Sequence, residues 1–157
     1  MLGRDYPEQN CSVARALEVV GERWTLLILR DAFLGVTRFD RFARKLGIGE
    51  SVLARRLATL VDAGVMERRP YRGNRFDYVL TDRGRELFPV IHGLLSWGDA
   101  HFAPDGPPVL TRHLGCGGEL LPGPRCAECG ADVGSDEVEW RWGPGSGRAE
   151  ATIAPRR

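Results

Sequence analysis

Apolar residues recur at helical spacing through the first half of the chain. From Ser12 to Val20 they stand at Val13, Ala16, Leu17 and Val20, and Gly21 then ends the run, which predicts a short first helix. Trp24, Leu27, Ile28 and Phe33 or Leu34 carry the same period on to Gly35, and the additional Leu26 and Leu29 predict a core helix buried on more than one side. Between residues 39 and 46, Phe39, Phe42, Ala43 and Leu46 fall at i, i+3, i+4 and i+7 with charges at most other positions, the pattern of an amphipathic helix. Gly47-Ile48-Gly49 follows as a tight turn in which two glycines can supply unusual backbone angles, and a fourth helix is predicted from Glu50 to Ala63, closed by Gly64. Two helices joined by a three-residue turn make a helix-turn-helix.

Beyond Gly64 the pattern shifts to short β-type segments, VMERRPY and RFDYVL, on either side of Arg72-Gly73-Asn74, which predicts a two-stranded hairpin. Thr81 and Asp82 then cap a long helix with an apolar stripe of Leu87, Val90, Ile91, Leu94, Leu95 and Phe102, in which Pro89 should introduce a bend or shift the start. That stripe, with Trp97 beside it, is longer than a small three-helix core can cover. It calls for a second copy of the chain or for the C-terminal segment of the same chain. The predicted fold class is mainly α with a small β hairpin: a winged helix-turn-helix domain over residues 1–103, a zinc-ribbon-like Cys/His appendage over 104–142, and a flexible tail over 143–157.

Composition adds location to this outline. The 157 residues, 43% of them hydrophobic, suffice for one core and a small appendage. The formal net charge is only +1, yet residues 36–85 hold twelve Lys/Arg against six Asp/Glu. Such a basic block points to a localised anionic partner, with nucleic acid the usual candidate, although a solvated charged face would look the same by charge alone. MLGRDYPEQNCSV lacks the order of a signal peptide and Trp24–Leu29 is too short to span a bilayer, so a cytoplasmic location is expected, where four cysteines favour metal or thiol chemistry over structural disulfides.

The second helix of a helix-turn-helix enters the major groove, apolar toward the core and hydrogen-bonding on the other side. In the fourth helix Leu53, Leu57, Leu60 and Val61 form the inner stripe, leaving Ser51, Ala54, Arg55, Ala58 and Thr59 outward and Arg56 at the margin. Arg55 is the strongest candidate for a base contact, since a guanidinium can bond O6 and N7 of guanine together. Arg72, Asn74 and Arg75 at the hairpin tip are placed to reach phosphates or a minor groove, and Arg38 and Lys45 could hold phosphates; each has the alternative of plain surface charge.

The segments Cys11-Ser-Val, Gly21-Glu-Arg-Trp24-Thr-Leu-Leu-Ile28-Leu29, Arg38-Phe39, Leu53-Ala-Arg-Arg-Leu57, Gly64-Val and Tyr78-Val-Leu-Thr81-Asp-Arg-Gly84 resemble the HxlR-type winged-helix regulators, relatives of the MarR group, over about residues 10–100. The resemblance implies a bacterial or archaeal transcription factor, not an enzyme, that dimerises through its first and last helices and binds a pseudo-palindromic operator. Gly49 departs from the serine that often caps the recognition helix in relatives. Some members sense oxidants through a cysteine at the position of Cys11, whose thiolate the helix dipole and Arg15 would favour; the alternative is a small apolar residue under the first helix. A small-molecule effector would be sought in the groove near Trp24 and Trp97.

The other three cysteines lie in HLGCGGELLPGPRCAECG. His113, Cys116, Cys126 and Cys129 form H-x2-C-x9-C-x2-C, two short ligand pairs whose spacing lets both members of each pair turn inward on one tetrahedral zinc. Four ligands leave no position for substrate, so the metal reads as structural, and a segment this short would depend on it to fold. The alternatives are a disulfide among the cysteines, no bond between them at all, or His113 as a plain surface residue, which would leave three cysteines and a water as an open site. Two other function classes fit less well. A zinc hydrolase would need an open site and a base such as Glu119 or Glu128, and a protein-interaction module built on a winged-helix scaffold would not need the basic helix and wing.

Overall fold

A computed structural model describes residues 12–121, 123 and 125–143. Cys11 and the tail beyond Gly143 lie outside the described residues. Among those described, the chain divides into two compact units, residues 12–32 with 36–84, and residues 33–35 with 85–143.

The first unit contains α1 (Ser12–Val20), α2 (Arg23–Phe33, its last residue assigned to the second unit), α3 (Phe39–Leu46) and α4 (Glu50–Asp62), then the antiparallel pair β1 (Met66–Arg72) and β2 (Arg75–Leu80), and the single turn α5 (Asp82–Arg85). Its interior is aliphatic and aromatic: Ile28, Leu29, Phe42, Leu53, Leu57 and Leu60 are fully buried, and Val65 and Met66 join them. Each comes from the apolar stripe of its own helix or the inward face of the hairpin, where Met66 pairs with Leu80. Within Gly47-Ile48-Gly49 only Gly47 uses the left-handed region, at φ 62°, to close α3; Gly49 is extended and serves as the N-cap of α4 without a side-chain bond. An isolated bridge from Arg38 to Asp77, with the Tyr78 N–H donating to the Thr37 carbonyl at 2.7 Å, ties the segment before α3 to the hairpin.

Polar residues at the start of α2 and around α5 find their reasons here. Glu22 accepts the N–H of Trp24 at 2.9 Å, starting α2, and its carboxylate pairs with Arg56 of α4 at 3.2 Å. Thr81 donates its hydroxyl to the Gly64 carbonyl at 2.7 Å and accepts the Gly84 N–H at 3.1 Å. At Gly84 any Cβ would be driven into the Val65 carbonyl oxygen, so only glycine lets α5 lie this close to the strand.

The second unit holds α6 (Phe88–Phe102) and the strands β3 (Val109–His113), β4 (Leu120–Leu121), β5 (Arg125–Cys126) and β6 (Val138–Trp142), paired antiparallel as β3 with β6 and β4 with β5. Its core is Phe88, Leu120, Cys126, Val133, Val138 and Trp140, with Phe33, Leu34, Leu95 and Val109 packed against it. Phe88 is the hub, edge-on to Phe33 at 5.7 Å and to Trp140 at 6.1 Å between ring centroids.

Of the two expectations for Pro89, the shifted start holds: it occupies the first turn of α6, where its missing N–H costs nothing, and α5 is a separate turn. One expectation changes. The expected single stripe on that helix is two faces. Phe88, Ile91 and His92 are buried, whereas Val90, Leu94, Trp97 and Phe102 are exposed, the last at 71%. The compact units part at Gly84–Arg85, and α6 shares its core with the cysteine-bearing segment. The Gly143 N–H donates to the Pro108 carbonyl at 2.9 Å.

Candidate nucleic-acid interface and cysteine cluster

The buried stripe of α4, Leu53, Leu57 and Leu60, turns the opposite face outward. Ser51 and Arg55 are exposed there, and Arg55 has no hydrogen-bond or ion-pair partner among the described residues. Thr59 is half-buried and donates its hydroxyl back to the Arg55 carbonyl at 3.1 Å, so it is committed to the helix. Arg56 points to the side and is paired with Glu22, with only 21% of its side chain exposed. Lys45 is likewise engaged: its ammonium lies 3.0 Å from Asp31, a fully buried carboxylate that also pairs with Arg30 at 3.0 Å. Of the nine positions proposed for contact with nucleic acid, Lys45, Arg56 and Thr59 are thus tied into the fold of the domain.

The remaining residues gather around the hairpin. Arg72, Asn74 and Arg75 are exposed at its tip. Arg38, Asn74 and Arg75, together with Tyr71 and Tyr78, line an open groove of about 490 Å3. The Arg38 guanidinium lies over the Tyr71 ring at 4.3 Å and 3.8 Å from Asp77, so it is held in place before any ligand arrives. Arg68 stacks similarly on Phe76 at 4.4 Å. Tyr71 and Arg68 were missed from sequence, because an aromatic and an arginine in a hairpin carry no signal until the strand register shows what each one covers.

In the second unit the fold collects the ligand atoms of His113, Cys116, Cys126 and Cys129 within 4.8 Å of one another. His113 Nδ1 lies 3.4 Å from Cys116 Sγ and 3.8 Å from Cys129 Sγ, and Cys116 Sγ lies 3.2 Å from Cys126 Sγ and 3.9 Å from Cys129 Sγ. Metal–sulfur bonds of about 2.3 Å in a tetrahedron put ligand atoms roughly 3.5–3.8 Å apart. The observed spacings bracket that edge, and the three cysteines are free thiols. Four soft or borderline donors at this separation could hold one tetrahedral metal ion.

The backbone is shaped for the same purpose. Gly117 and Gly130, each one residue past a cysteine, take φ of 72° and 69°, bending the chain so that amides turn toward sulfur. The Cys129 N–H first, and the Cys116 thiol next, hold the Cys126 thiol down to about 6, while donation to Cys126 pushes Cys116 up. Gly118, buried beside the cluster, was not singled out from sequence; a Cβ there would stand 2.8 Å from Cys126 Sγ.

A helix-turn-helix with an aligned wing, followed by a small Cys/His-bearing β segment, defines the class as winged-helix transcriptional regulators. The family model for HxlR-like helix-turn-helix proteins matches residues 19–105, and the chain belongs to that family. It is 48% identical over 137 residues to the HTH-type transcriptional regulators Rv3095 of Mycobacterium tuberculosis and Mb3122 of Mycobacterium bovis, covering 85% of this chain and 87% of each relative. Among solved structures, that of PA1607, a candidate transcription factor, superposes with a TM-score of 0.68 at 39% identity over 83% of this chain and 93% of that one. The redox regulator HypR in its reduced form matches with a TM-score of 0.54 at 28% identity, covering 57% of this chain and 92% of its own. The first three matches run well past the family-matched residues, whereas HypR accounts for little more than their length. Among the described residues no helix is long and apolar enough to cross a membrane.

Proposed function

We propose that the protein is a homodimeric, cytoplasmic, sequence-specific regulator that docks α4 in the major groove of a pseudo-palindromic operator. The observation that carries this reading is Arg55, exposed on the outward face of α4 with no partner among the described residues, set beside a hairpin that presents Arg72, Asn74 and Arg75. Arg55 would read a guanine edge, while Ser51, Arg38 and the hairpin arginines would hold backbone phosphates or enter the minor groove. Lys45, Arg56 and Thr59 would contribute by fixing the pose of α3 and α4.

Two apolar faces support the dimer. Val13 and Leu17 on α1 are exposed at 66% and 47%, and Val90, Leu94 and Trp97 fall at i, i+4 and i+7 on one face of α6. A second copy offering the same faces would cover them. The cysteine cluster is read as a closed structural zinc site held by His113, Cys116, Cys126 and Cys129, which supplies cohesion rather than catalysis. Control by a small molecule or by thiol oxidation, with Cys11 as the sensor, is consistent with HypR being a redox regulator.

The test is a double variant, Arg55→Ala with Arg75→Ala, assayed on genomic fragments recovered with the wild-type protein. Losing two specific contacts should weaken binding by about thirtyfold or more. Helicity and metal content should stay unchanged. Operator affinity equal to wild type would overturn the reading.

A further inference from the structure

The hairpin departs from regular pairing at one residue. Met66 to Pro70 pair in step with Leu80 to Phe76, and Arg72 then pairs with Arg75, so Tyr71 is the extra residue of a β-bulge with no partner across the hairpin. A bulge bends its strand and re-aims the side chain it leaves over. Here the guanidinium carbon of Arg38 stands over the Tyr71 ring, 4.3 Å from its centroid. A ring that is 36% exposed adds little to a core, so the contact with Arg38 is what the bulge achieves.

Arg38 belongs to a different element. It is the N-cap of α3, extended at φ −97° and ψ 140°, and its backbone bridges Asp77 of β2. Thr37 beside it donates its hydroxyl to Asp77 Oδ1 at 2.9 Å. The backbone of Arg38 is thus anchored to the hairpin, while its side chain stays 44% exposed and lines the open groove together with Asn74 and Arg75. Asp77 Oδ1 is 3.8 Å from Nε, an ion pair beyond hydrogen-bond reach, and no acceptor among the described residues bonds the guanidinium. Ring and carboxylate therefore restrict a side chain that would otherwise sample many rotamers, and neither uses up its Nη donors. The second stacked arginine, Arg68 on Phe76, differs in that both partners belong to the hairpin, whereas Tyr71 and Arg38 join the hairpin to α3. A guanidinium fork suits the oxygens of a phosphate, and one already restricted in the free protein loses less entropy on binding it.

We propose that Tyr71 is a positioning residue for DNA binding, holding the Arg38 guanidinium ready for a backbone phosphate of the operator where the wing meets the helix-turn-helix. This rests on the DNA-binding reading and adds to it a residue that acts through Arg38 rather than through a contact of its own. A phenol bonded to DNA would need its hydroxyl, and a purely structural ring would matter with or without Arg38. A positioning ring needs its aromatic face and Arg38 together.

The experiment measures operator affinity over a range of salt concentrations, on the fragments recovered with the wild-type protein. The full-length variants are Tyr71→Phe, Tyr71→Leu, Arg38→Gln and the double variant Arg38→Gln with Tyr71→Leu. Arg38→Gln should weaken binding about tenfold and reduce the salt slope by about one for each protomer bound, because a phosphate contact is lost. Tyr71→Leu should weaken binding about fivefold with helicity and salt slope unchanged, because the charge remains and only its ordering must be supplied on binding. Tyr71→Phe should restore wild-type affinity. In the Arg38→Gln background, Tyr71→Leu should cost nothing further. In the free protein, labelled at arginine with 15N, the Arg38 side-chain resonances should be shifted upfield by the ring, remain so in Tyr71→Phe and return to ordinary values in Tyr71→Leu. The proposal is overturned if Tyr71→Leu binds like wild type, if Tyr71→Phe binds as weakly as Tyr71→Leu, or if Tyr71→Leu weakens binding equally with and without Arg38. It is also overturned if Arg38→Gln leaves affinity and slope unaltered, and loss of binding in the Arg55→Ala, Arg75→Ala variant would then leave the DNA-binding reading standing. A wild-type protein that recovers no specific fragment removes both readings together.

Discussion

The two units are held together by different means. The winged-helix unit buries a continuous set of aliphatic and aromatic side chains, Ile28, Leu29, Phe42, Leu53, Leu57 and Leu60, each fully enclosed. The cysteine-bearing unit has a thinner core, and one of its six buried members is Cys126, itself part of the His/Cys cluster; two of its strands are only two residues long. Apolar burial suffices where four helices supply facing stripes. Where loops predominate, the proposed zinc site would supply what the core lacks.

Metal removal should expose this difference most strongly. Structural zinc contributes on the order of 10 kcal/mol to small domains that depend on it. Treating the zinc-loaded protein with a strong chelator should therefore abolish amide protection across residues 109–143, while α4 keeps its slow exchange. Loss of protection in both units together would erase the contrast. Leu57→Ala should act on the other side of it. Emptying a fully buried site costs about 2–5 kcal/mol. A urea melt should show that loss in the winged-helix unit with the zinc content unaltered. Gly84→Ala should cost less, about 1–3 kcal/mol, because α5 can shift away from the Val65 carbonyl. Its mark would be faster exchange in α5 and at the paired strand ends, and unchanged stability would show that the close approach is not needed.

The smallest effect concerns pH. Burial lowers the His92 pKa from its ordinary 6.5, so the unfolded chain takes up this proton before the folded one does. The contribution of neutral His92 is therefore fully present above pH 6.5 and is lost as pH falls below it toward the folded value. Acid also protonates the cluster thiols, so the quantity to measure is the difference between wild type and His92→Gln. That difference should shrink between neutral pH and mild acid, and a flat difference would show that His92 is not buried neutral.

The winged-helix unit was legible from sequence because its elements are local patterns. The bounds of α1 and α3 are those predicted, and α2 and α4 lie within a residue or so of them, since glycine or an apolar period marks each end. The pairing of His113 with the three cysteines was also readable as spacing. What spacing could not convey is which charged residues are already in use. Lys45 and Arg56 look in sequence like Arg55, and their commitments to Asp31 and Glu22 arise from α2 packing beside α3 and α4. The apolar stripe on α6 was equally ambiguous, because a helix that is apolar around much of its circumference does not say which side meets its own chain.

The sequence by itself determined the order and type of the elements, the placement of arginines on α4 and the wing, and the candidate ligand set of the cluster, because each rests on residues within a few turns of one another. Only the tertiary structure decided that α6 belongs with the cysteine segment, that His92 is enclosed against Thr111, and that Thr37 and Arg38 are held by Asp77 and Tyr71 of the wing. Those features bring together residues far apart in sequence, 19 positions from His92 to Thr111 and 40 positions from Thr37 to Asp77, and no local periodicity records such a meeting.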